Sequence, residues 1–210
     1  MKLFGTYPSH FTRKVRVVLQ ELGLEYQFNV LPSLGEIGVE HFANNPLLQL
    51  PTLVYGEREI IESDIICRYL LENFGQKSPE LRFLPSSGDK YAHEKRLAVM
   101  NGGMAAGVKI IRGKRSNIPN FMEFLLFRQE AAALQSSLKW LDADLGHRTC
   151  YQAGEFTLLD ITLVSFADWA VFREMIPSLA AFPNLQRFVE ANRGRLSLAS
   201  THPALEGPVK

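Results

Sequence analysis

The chain of 210 residues has little of what marks secreted, membrane-spanning or nucleic-acid-binding proteins. It has only two cysteines, Cys67 and Cys150, too few for a disulfide framework, which predicts a reducing, cytoplasmic location. No apolar run approaches the roughly 20 residues of a membrane span, and the N-terminal residues predict a strand rather than a signal peptide. The net charge of +1 predicts no nucleic-acid partner and no membrane partner.

Alternating strand and helix patterns occupy the first third of the chain. Hydrophobic residues make up 46% of the sequence and charged residues 21%, so a sizeable core is expected. The predicted strands are 2–5, 26–31, 52–55 and 59–61, and the predicted helices are 12–22, 33–43 and 63–74. The order βαβα followed by ββα indicates a thioredoxin-like α/β layer.

The composition changes after residue 76. Residues 77–89 are rich in Ser, Pro and Gly and lack periodicity, which predicts a linker between a first domain at 1–76 and a second at 90–210. The second domain has helical patterns and no strand signal. Its predicted helices are 90–112, 120–145, 157–174 and 184–194. The expected fold class is therefore α/β plus all-α.

One local pattern in the second domain predicts the start of a helix. Thr157 and Asp160 have the spacing of a capping box, in which each side chain accepts a hydrogen bond from the backbone of the other. Phe156 and Ile161 have the spacing of the hydrophobic staple that accompanies such a box. The pattern is structural, because it fixes where a central helix begins and carries no chemistry.

Two segments of the first domain predict a pocket for a small zwitterionic peptide. Pro51 cannot donate to a sheet ladder and opens an apolar strand, and a cis Leu50–Pro51 bond would leave the Leu50 backbone able to pair with a peptide ligand. Further along, Ser63 opens an apolar helix whose N–H groups attract an anion. The carboxylate of Glu62, beside it, suits an ammonium group.

These segments, their spacing and the order of elements resemble the soluble glutathione S-transferases. The capping box at 157–160 falls where that family has it, and residues 2–16 resemble its serine-type and bacterial branches. The resemblance implies a thioredoxin-like domain that binds glutathione, followed by an all-helical domain that contributes a pocket for a small hydrophobic electrophile. It also implies a homodimer that acts in detoxification and needs no metal.

The resemblance identifies Ser9 as the hydrogen-bond donor to the glutathione sulfur. Serine-type members carry a serine just before the first helix, and the thiolate that it stabilises is the nucleophile. Tyr7 is the alternative, because other branches use a tyrosine near the end of the first strand. Thiol-transferring relatives have a cysteine at the position of Ser9, so the serine argues against disulfide exchange. The neighbouring His10 is predicted to lie on the surface.

The same resemblance assigns the other contacts with glutathione. Ser63 is expected to bind the carboxylate of the γ-glutamyl end, and Glu62 its ammonium group. The backbone of Leu50 is expected to pair with the cysteinyl unit, at the strand opened by Pro51.

Gln49 and His41 are expected near the glycyl carboxylate of the same ligand. The segment before Gln49 departs from the family pattern, since relatives often carry Asn-Pro-x-Gly and this chain has Leu48 in place of the glycine. The substitution puts the shape of this loop in question, because glycine adopts backbone conformations that leucine disfavours.

The electrophile pocket is expected along the first helix of the second domain, facing Ser9. Residues 102, 103 and 107 of this helix are glycines, and their lack of side chains would make room for a substrate or allow close packing. The candidate pocket residues are Asn101, Met104, Ala105 and Val108, with core or subunit interface as the alternative. Trp169 and Phe172 are predicted to be core residues, and Cys67 is predicted to be buried and inert.

Two classes of function are compatible with this sequence. The first is a glutathione transferase, or a peroxidase, isomerase or dehalogenase variant that uses the same site, because function depends on the site and not on the fold. The second is a binding or regulatory protein that keeps the fold without turnover. The joint presence of Ser9, Glu62 and Ser63 favours the enzyme.

Overall fold

The computed structural model describes residues 1–31 and 38–205. The irregular helix predicted at 33–43 therefore lies partly outside the described residues. Its described part contains a 3₁₀ turn at Val39–Phe42. Within the two described ranges, none of the helices has both the length and the apolar character needed to cross a bilayer.

Four strands form the sheet of the first domain. They are β1 (Lys2–Gly5), β2 (Gln27–Val30), β3 (Thr52–Tyr55) and β4 (Arg58–Ile61), in the spatial order β2-β1-β3-β4. Strands β1 and β2 are parallel, as expected for a βαβ unit, while β3 is antiparallel to both β1 and β4. The βαβ and ββα halves therefore join through β1 and β3, as in a thioredoxin-like layer.

Helices α1 (His10–Glu21) and α2 (Ser63–Phe74) pack against each other in this domain. Helix α1 has Leu22 as its C-cap, followed by Gly23, whose φ of +58° suits glycine. The Gly23 N–H donates to the Gln20 carbonyl, and the Leu24 N–H donates to the Leu19 carbonyl, which together form a Schellman motif. The sequence correctly places the end of the helix here.

The second domain is built from helices, and its first helix starts where the predicted linker ends. The helices are α3 (Lys90–Arg115), α4 (Leu125–Leu145), α5 (Leu158–Phe172), α6 (Pro183–Asn192) and the short α7 (Leu196–Ala199). Helix α5 packs against α3, α6 and also α1, so it joins the two domains.

The expectation of no strand in the second domain is wrong in one place. Strand β6 (Phe156–Thr157) pairs in parallel with β5 (Leu81–Arg82), which lies within the predicted linker. A strand of two residues has no detectable periodicity, so its partner could not be inferred from pattern. The pairing fixes the linker against the start of α5.

The capping box at the start of α5 is confirmed. The Thr157 N–H donates to Asp160 Oδ2 at 2.8 Å, and the Asp160 N–H donates to Thr157 Oγ1 at 3.4 Å. Every residue from Leu158 to Ala170 is buried, so α5 is the central helix of the core. Trp169 is 2% exposed, as predicted for a core residue, whereas Phe172 at the helix end is only half-buried.

Candidate functional site

The strand register brings three loops to one edge of the sheet. Phe4 of β1 pairs with Thr52 of β3, which pairs in turn with Ile61 of β4. Beyond this row of paired residues, the chain continues from β1 to Ser9 and from β4 to Ser63. Pro51 lies at the same edge, because it directly precedes β3. Three adjacent strands span about 10 Å, because neighbouring strands lie about 4.8 Å apart. That edge has the dimensions of a tripeptide, and two helices begin on it.

Ser9 is the N-cap of α1 and lies half-buried at this edge. Its backbone is extended, with φ −85° and ψ 118°, and its Oγ accepts a hydrogen bond from the Thr12 N–H at 3.2 Å. Accepting this bond leaves the hydroxyl proton available to a second partner. The positive end of the α1 dipole lies at the same point, so an anion there would be stabilised by both.

Tyr7, two residues before Ser9, packs against an aromatic ring and a guanidinium group. Its ring meets Phe28 edge to face with the centroids 4.9 Å apart, and the Arg16 guanidinium lies 5.1 Å from the centroid of each of these rings. These contacts give Tyr7 a packing role.

Glu62 and Ser63 form the start of α2. Glu62 is the N-cap residue, and its carbonyl accepts from the Ile66 N–H at 2.9 Å while its exposed side chain makes no capping bond. Its φ of +65° is unusual for a residue other than glycine, and such strain is common at ligand sites. Ser63 is the first residue of α2 and is 6% exposed, so its N–H belongs to the positive end of that helix.

The loop before β3 is shaped by two side chains. Leu50–Pro51 is cis, as predicted. Asn45 Nδ2 donates to the Gln49 carbonyl at 2.8 Å, and the Thr52 hydroxyl donates to the Phe42 carbonyl at 3.1 Å. Gln49 itself is exposed and Leu50 is half-buried at the sheet edge.

The loop keeps the backbone that the missing glycine would favour. Leu48 has a φ of +50°, the left-handed conformation usual for glycine. Ala43 and Asn44 also have positive φ, at 51° and 58°. His41 lies half-buried in the 3₁₀ turn that precedes them, with its Nε2 3.6 Å from Glu40 Oε1.

His10 is buried, which corrects the prediction of a surface position. It is 2% exposed, and its ring lies between Phe11 and Trp169, with centroids at 4.3 and 4.1 Å. Among the described residues, neither ring nitrogen has a hydrogen-bond partner. Burial, followed by the charges of Lys14 and Arg173, lowers the pKa of His10 well below its usual value. The imidazole is therefore neutral near pH 7.

The helix predicted to wall the electrophile pocket is packed rather than open over much of that face. A Cβ on Gly103 would lie 2.7 Å from the Phe166 ring, and one on Gly107 would lie 2.6 Å from the Trp169 ring. Two of the three glycines therefore serve close packing, while Gly102 faces open space. Met104 is fully buried in the core, and Ala105 and Val108 are half-buried.

Three cationic side chains of α1 are buried, which the sequence did not predict: Arg13, Lys14 and Arg16. Arg13 donates from Nη1 to Asp168 Oδ2 at 2.9 Å, from Nη2 to the Leu198 carbonyl at 2.9 Å and from Nε to Thr201 Oγ1 at 3.3 Å. Lys14 is 0% exposed and contacts α2 and α3. In the sequence, the only sign of burial is that Arg13 and Lys14 interrupt the apolar face of a helix. Their partners are distant in the sequence.

The two thiols are poor nucleophiles. Burial raises the pKa of Cys67, which is fully buried as predicted, and burial together with the Asp160 charge raises that of Cys150. Across residues 1–31 and 38–205, His, Cys, Asp and Glu side chains form no group of three or more that could hold a metal ion.

Family models match both parts of the chain. The model described as "Glutathione S-transferase, N-terminal domain" matches residues 3–78, and "Glutathione S-transferase, C-terminal domain" matches residues 126–195. The chain is 30% identical over 207 residues to the uncharacterized GST-like protein YibF of Escherichia coli (strain K12), covering 97% of this chain and 98% of that protein. It is 24% identical over 220 residues to glutathione S-transferase U19 of Arabidopsis thaliana, covering 96% of this chain and 89% of that protein.

Solved structures of similar fold include proteins with glutathione or its sulfonate bound. A glutathione S-transferase from Methylobacillus flagellatus KT with glutathione bound superposes with a TM-score of 0.81 at 23% identity, over 96% of this chain and 98% of that chain. One from Methylobacterium radiotolerans, in complex with glutathione sulfonate, gives 0.80 at 24% identity, over 96% and 94%. These likenesses confirm the predicted fold class.

Proposed function

The chain belongs to the glutathione S-transferase family, and from that premise we propose that it activates the thiol of glutathione for attack on small hydrophobic electrophiles. The observation that carries the proposal is the shared sheet edge, where the starts of α1 and α2 and the loop before β3 meet. Two positive helix ends suit a ligand with a thiolate and a carboxylate.

Ser9 is the proposed donor to the thiolate. Its Oγ is oriented by the Thr12 N–H, which leaves the hydroxyl proton for the sulfur. A hydrogen bond to the charged form and the adjacent helix end both lower the pKa of a bound thiol. A shift of about two pKa units corresponds to about 2.7 kcal/mol in favour of the thiolate. Tyr7 remains the alternative donor.

Glu62 and Ser63 are the proposed anchors of the γ-glutamyl end. The exposed carboxylate of Glu62, which makes no capping bond, would pair with the ligand ammonium, and the Ser63 hydroxyl and N–H would bind the ligand carboxylate. The Leu50 backbone would pair with the cysteinyl unit, with Gln49 and His41 toward the glycyl carboxylate. The strained Glu62 backbone supports this assignment, since strain of this kind is retained where a site requires it.

The proposed reaction forms one carbon–sulfur bond. The thiolate sulfur donates an electron pair to the electrophilic carbon. In a substitution, the leaving group departs with its bonding pair. In an addition to an enone, the π electron pair shifts to the carbonyl oxygen, and the resulting enolate takes a proton from solvent. The thiol proton passes to solvent when the thiolate forms. The site needs no metal or redox group for this chemistry.

Calorimetry with glutathione and assays of thioether formation test the proposal. We expect the wild type to bind glutathione and to conjugate at least one of a chloronitrobenzene, an enone and an isothiocyanate. The Ser63→Ala variant should bind about 5- to 100-fold more weakly, because a charged ligand group loses its hydrogen bond. Ser136→Ala, at an exposed position of α4, is the matched control and should bind like the wild type.

The same experiment separates the two classes of function. Glutathione binding without turnover of any electrophile, of a hydroperoxide or of an isomerisable substrate would contradict the enzyme and favour a binding protein. Absence of glutathione binding would contradict the proposal as a whole.

A cytoplasmic homodimer is part of the proposal. Both cysteines are free, which is consistent with a reducing compartment. Large apolar side chains are exposed at the start of α4, where Leu125 is 62% and Leu126 is 55% exposed, as expected for an interface. The double variant Leu125→Lys/Leu126→Lys should halve the mass measured by light scattering. Leu196→Lys, at an exposed leucine of α7, should leave the mass unchanged.

A further inference from the structure

Lys14, Asp64 and Asn101 form a polar network where α1, α2 and α3 meet. Lys14 Nζ donates to Asp64 Oδ1 at 2.5 Å and to Asn101 Oδ1 at 3.0 Å, and Asn101 Nδ2 donates to Asp64 Oδ2 at 2.5 Å. Both carboxylate oxygens of Asp64 are therefore engaged. Lys14 is 0% exposed, and its ammonium also lies 5.5 Å from the Phe11 ring centroid.

Asp64 occupies a position where its charge would compete with an anionic ligand. It is the second residue of α2, immediately after Ser63, and its side chain is 27% exposed. A helix start carries a partial positive charge that attracts anions. A carboxylate in the first turn neutralises that charge and repels a second carboxylate brought to the same place.

The buried position of Lys14 adds to the argument. A buried ion pair contributes little net stability, since apolar side chains of similar volume often serve as well. Stability alone therefore does not account for a fully buried lysine on α1 that is directed at the first turn of α2. Its position next to the proposed anion site supplies a functional reason.

We propose that Lys14 is a positioning residue that acts through Asp64. It compensates the Asp64 charge, so that the start of α2 keeps a net attraction for the γ-glutamyl carboxylate of glutathione. Asn101 completes the network by binding the second oxygen of Asp64 and by keeping Lys14 directed at the carboxylate. This inference rests on the proposed function, because it assumes that glutathione binds at Ser63.

Calorimetric affinities for glutathione in a double-mutant cycle test the inference. Lys14→Met should weaken binding about tenfold, the order expected for one uncompensated like charge at a partly exposed site. The double variant Lys14→Met/Asp64→Asn should return to within about threefold of the wild type, since the repelling charge is gone. Lys139→Met, at an exposed lysine of α4, is the matched control and should not change the affinity.

The cycle distinguishes charge compensation from a purely structural role. A structural role predicts that the double variant binds as weakly as Lys14→Met or more weakly, and that result would overturn the inference. Unchanged affinity in Lys14→Met would also overturn it. If Lys14→Met does not fold, the double variant decides, because compensation requires it to bind like the wild type. A wild type that does not bind glutathione would sink both proposals, whereas a wild type that binds with an unaffected Lys14→Met sinks only this one.

Discussion

The Ser9 hydroxyl oxygen accepts a hydrogen bond from the Thr12 N–H at 3.2 Å, so the cap of α1 uses a lone pair of Ser9 and not its proton. A cap and a thiol donor are therefore compatible roles for one side chain. The contact also fixes the direction of the hydroxyl group, because an oxygen held on one side presents its proton to the other.

Replacement of Ser9 by Ala should separate these two roles. Loss of the cap should lower the free energy of unfolding by about 1 kcal/mol. Turnover near pH 7 should fall by about one to three decades, while glutathione affinity changes only a few fold, because one positioned donor to the sulfur is lost. Activity should recover as the pH approaches that of a free thiol, near 8.5.

Titration of thiolate absorbance in the glutathione complex measures the same effect directly. The pKa of the bound thiol should rise in Ser9→Ala and stay near the wild-type value in Tyr7→Phe. A shift in Tyr7→Phe with none in Ser9→Ala would show that Tyr7 is the donor.

Glu62 offers a test of whether its backbone strain serves binding. Glu62→Gly should relieve part of the cost of a φ of +65°, so the protein should be as stable as the wild type or more so. Glutathione affinity should nevertheless fall by about 1–3 kcal/mol, because the ligand ammonium loses its carboxylate.

Glu62→Gln removes the charge but keeps a residue that is strained at positive φ, so it is the matched comparison for Glu62→Gly. It should lose affinity to a similar extent without the gain in stability. Thermal unfolding measures the stability of the two variants, and calorimetry measures their affinity for glutathione. If both variants bind glutathione like the wild type, Glu62 does not bind the ligand ammonium.

His10 should make the stability of the protein depend on pH below about 6.5. The unfolded chain takes up a proton on this residue near pH 6.5, whereas in the folded protein the pKa is lowered, first by burial and then by Lys14 and Arg173. The unfolded state therefore binds more protons in acid, and stability falls with decreasing pH by up to about 1.4 kcal/mol per pH unit until the folded pKa is reached.

The variant His10→Phe removes this titration and keeps an aromatic ring between Phe11 and Trp169. Its free energy of unfolding in urea, relative to wild type, should rise steadily from pH 7 to pH 5. Parallel pH profiles for the two proteins would contradict this account.

Replacement by alanine should change the stability of the protein in opposite directions at two glycines of α3. Gly107→Ala should destabilise the protein by about 1–3 kcal/mol, since the new methyl group would lie 2.6 Å from the Trp169 ring. Gly102→Ala should stabilise it by about 0.5–1 kcal/mol, because that position meets no atom within 4 Å and alanine favours helix. Denaturant unfolding of both variants measures the difference.

Features with a local cause could be predicted from the sequence. The capping box of Thr157 and Asp160 depends on residues three apart, and the end of α1 at Gly23 depends on a single left-handed residue. The positions of Pro51 and Ser63 at the starts of β3 and α2 likewise follow from proline and helix-start chemistry. Given the strand order β2-β1-β3-β4, these positions place Pro51 and Ser63 at the same edge of the sheet.

Features with distant partners could not be predicted. Lys14 and its acceptor Asp64 are 50 residues apart, and charged residues in a helix are ordinarily exposed, so the sequence favoured an exposed Lys14. His10 was misplaced for the same reason, since Trp169 of α5 covers it. The roles of Gly103 and Gly107 stayed open because close packing and a substrate cavity produce the same pattern of small residues.

The contacts of Arg13 bear on how the polypeptide is assembled. Its acceptors Asp168 and Leu198 follow it by 155 and 185 residues, yet they lie against the helix that begins at Ser9. Because these contacts join the two domains, we expect the unfolding of one domain to be coupled to the unfolding of the other. During synthesis, the turn that holds Ser9 can reach its final environment only after residues near 200 have left the ribosome.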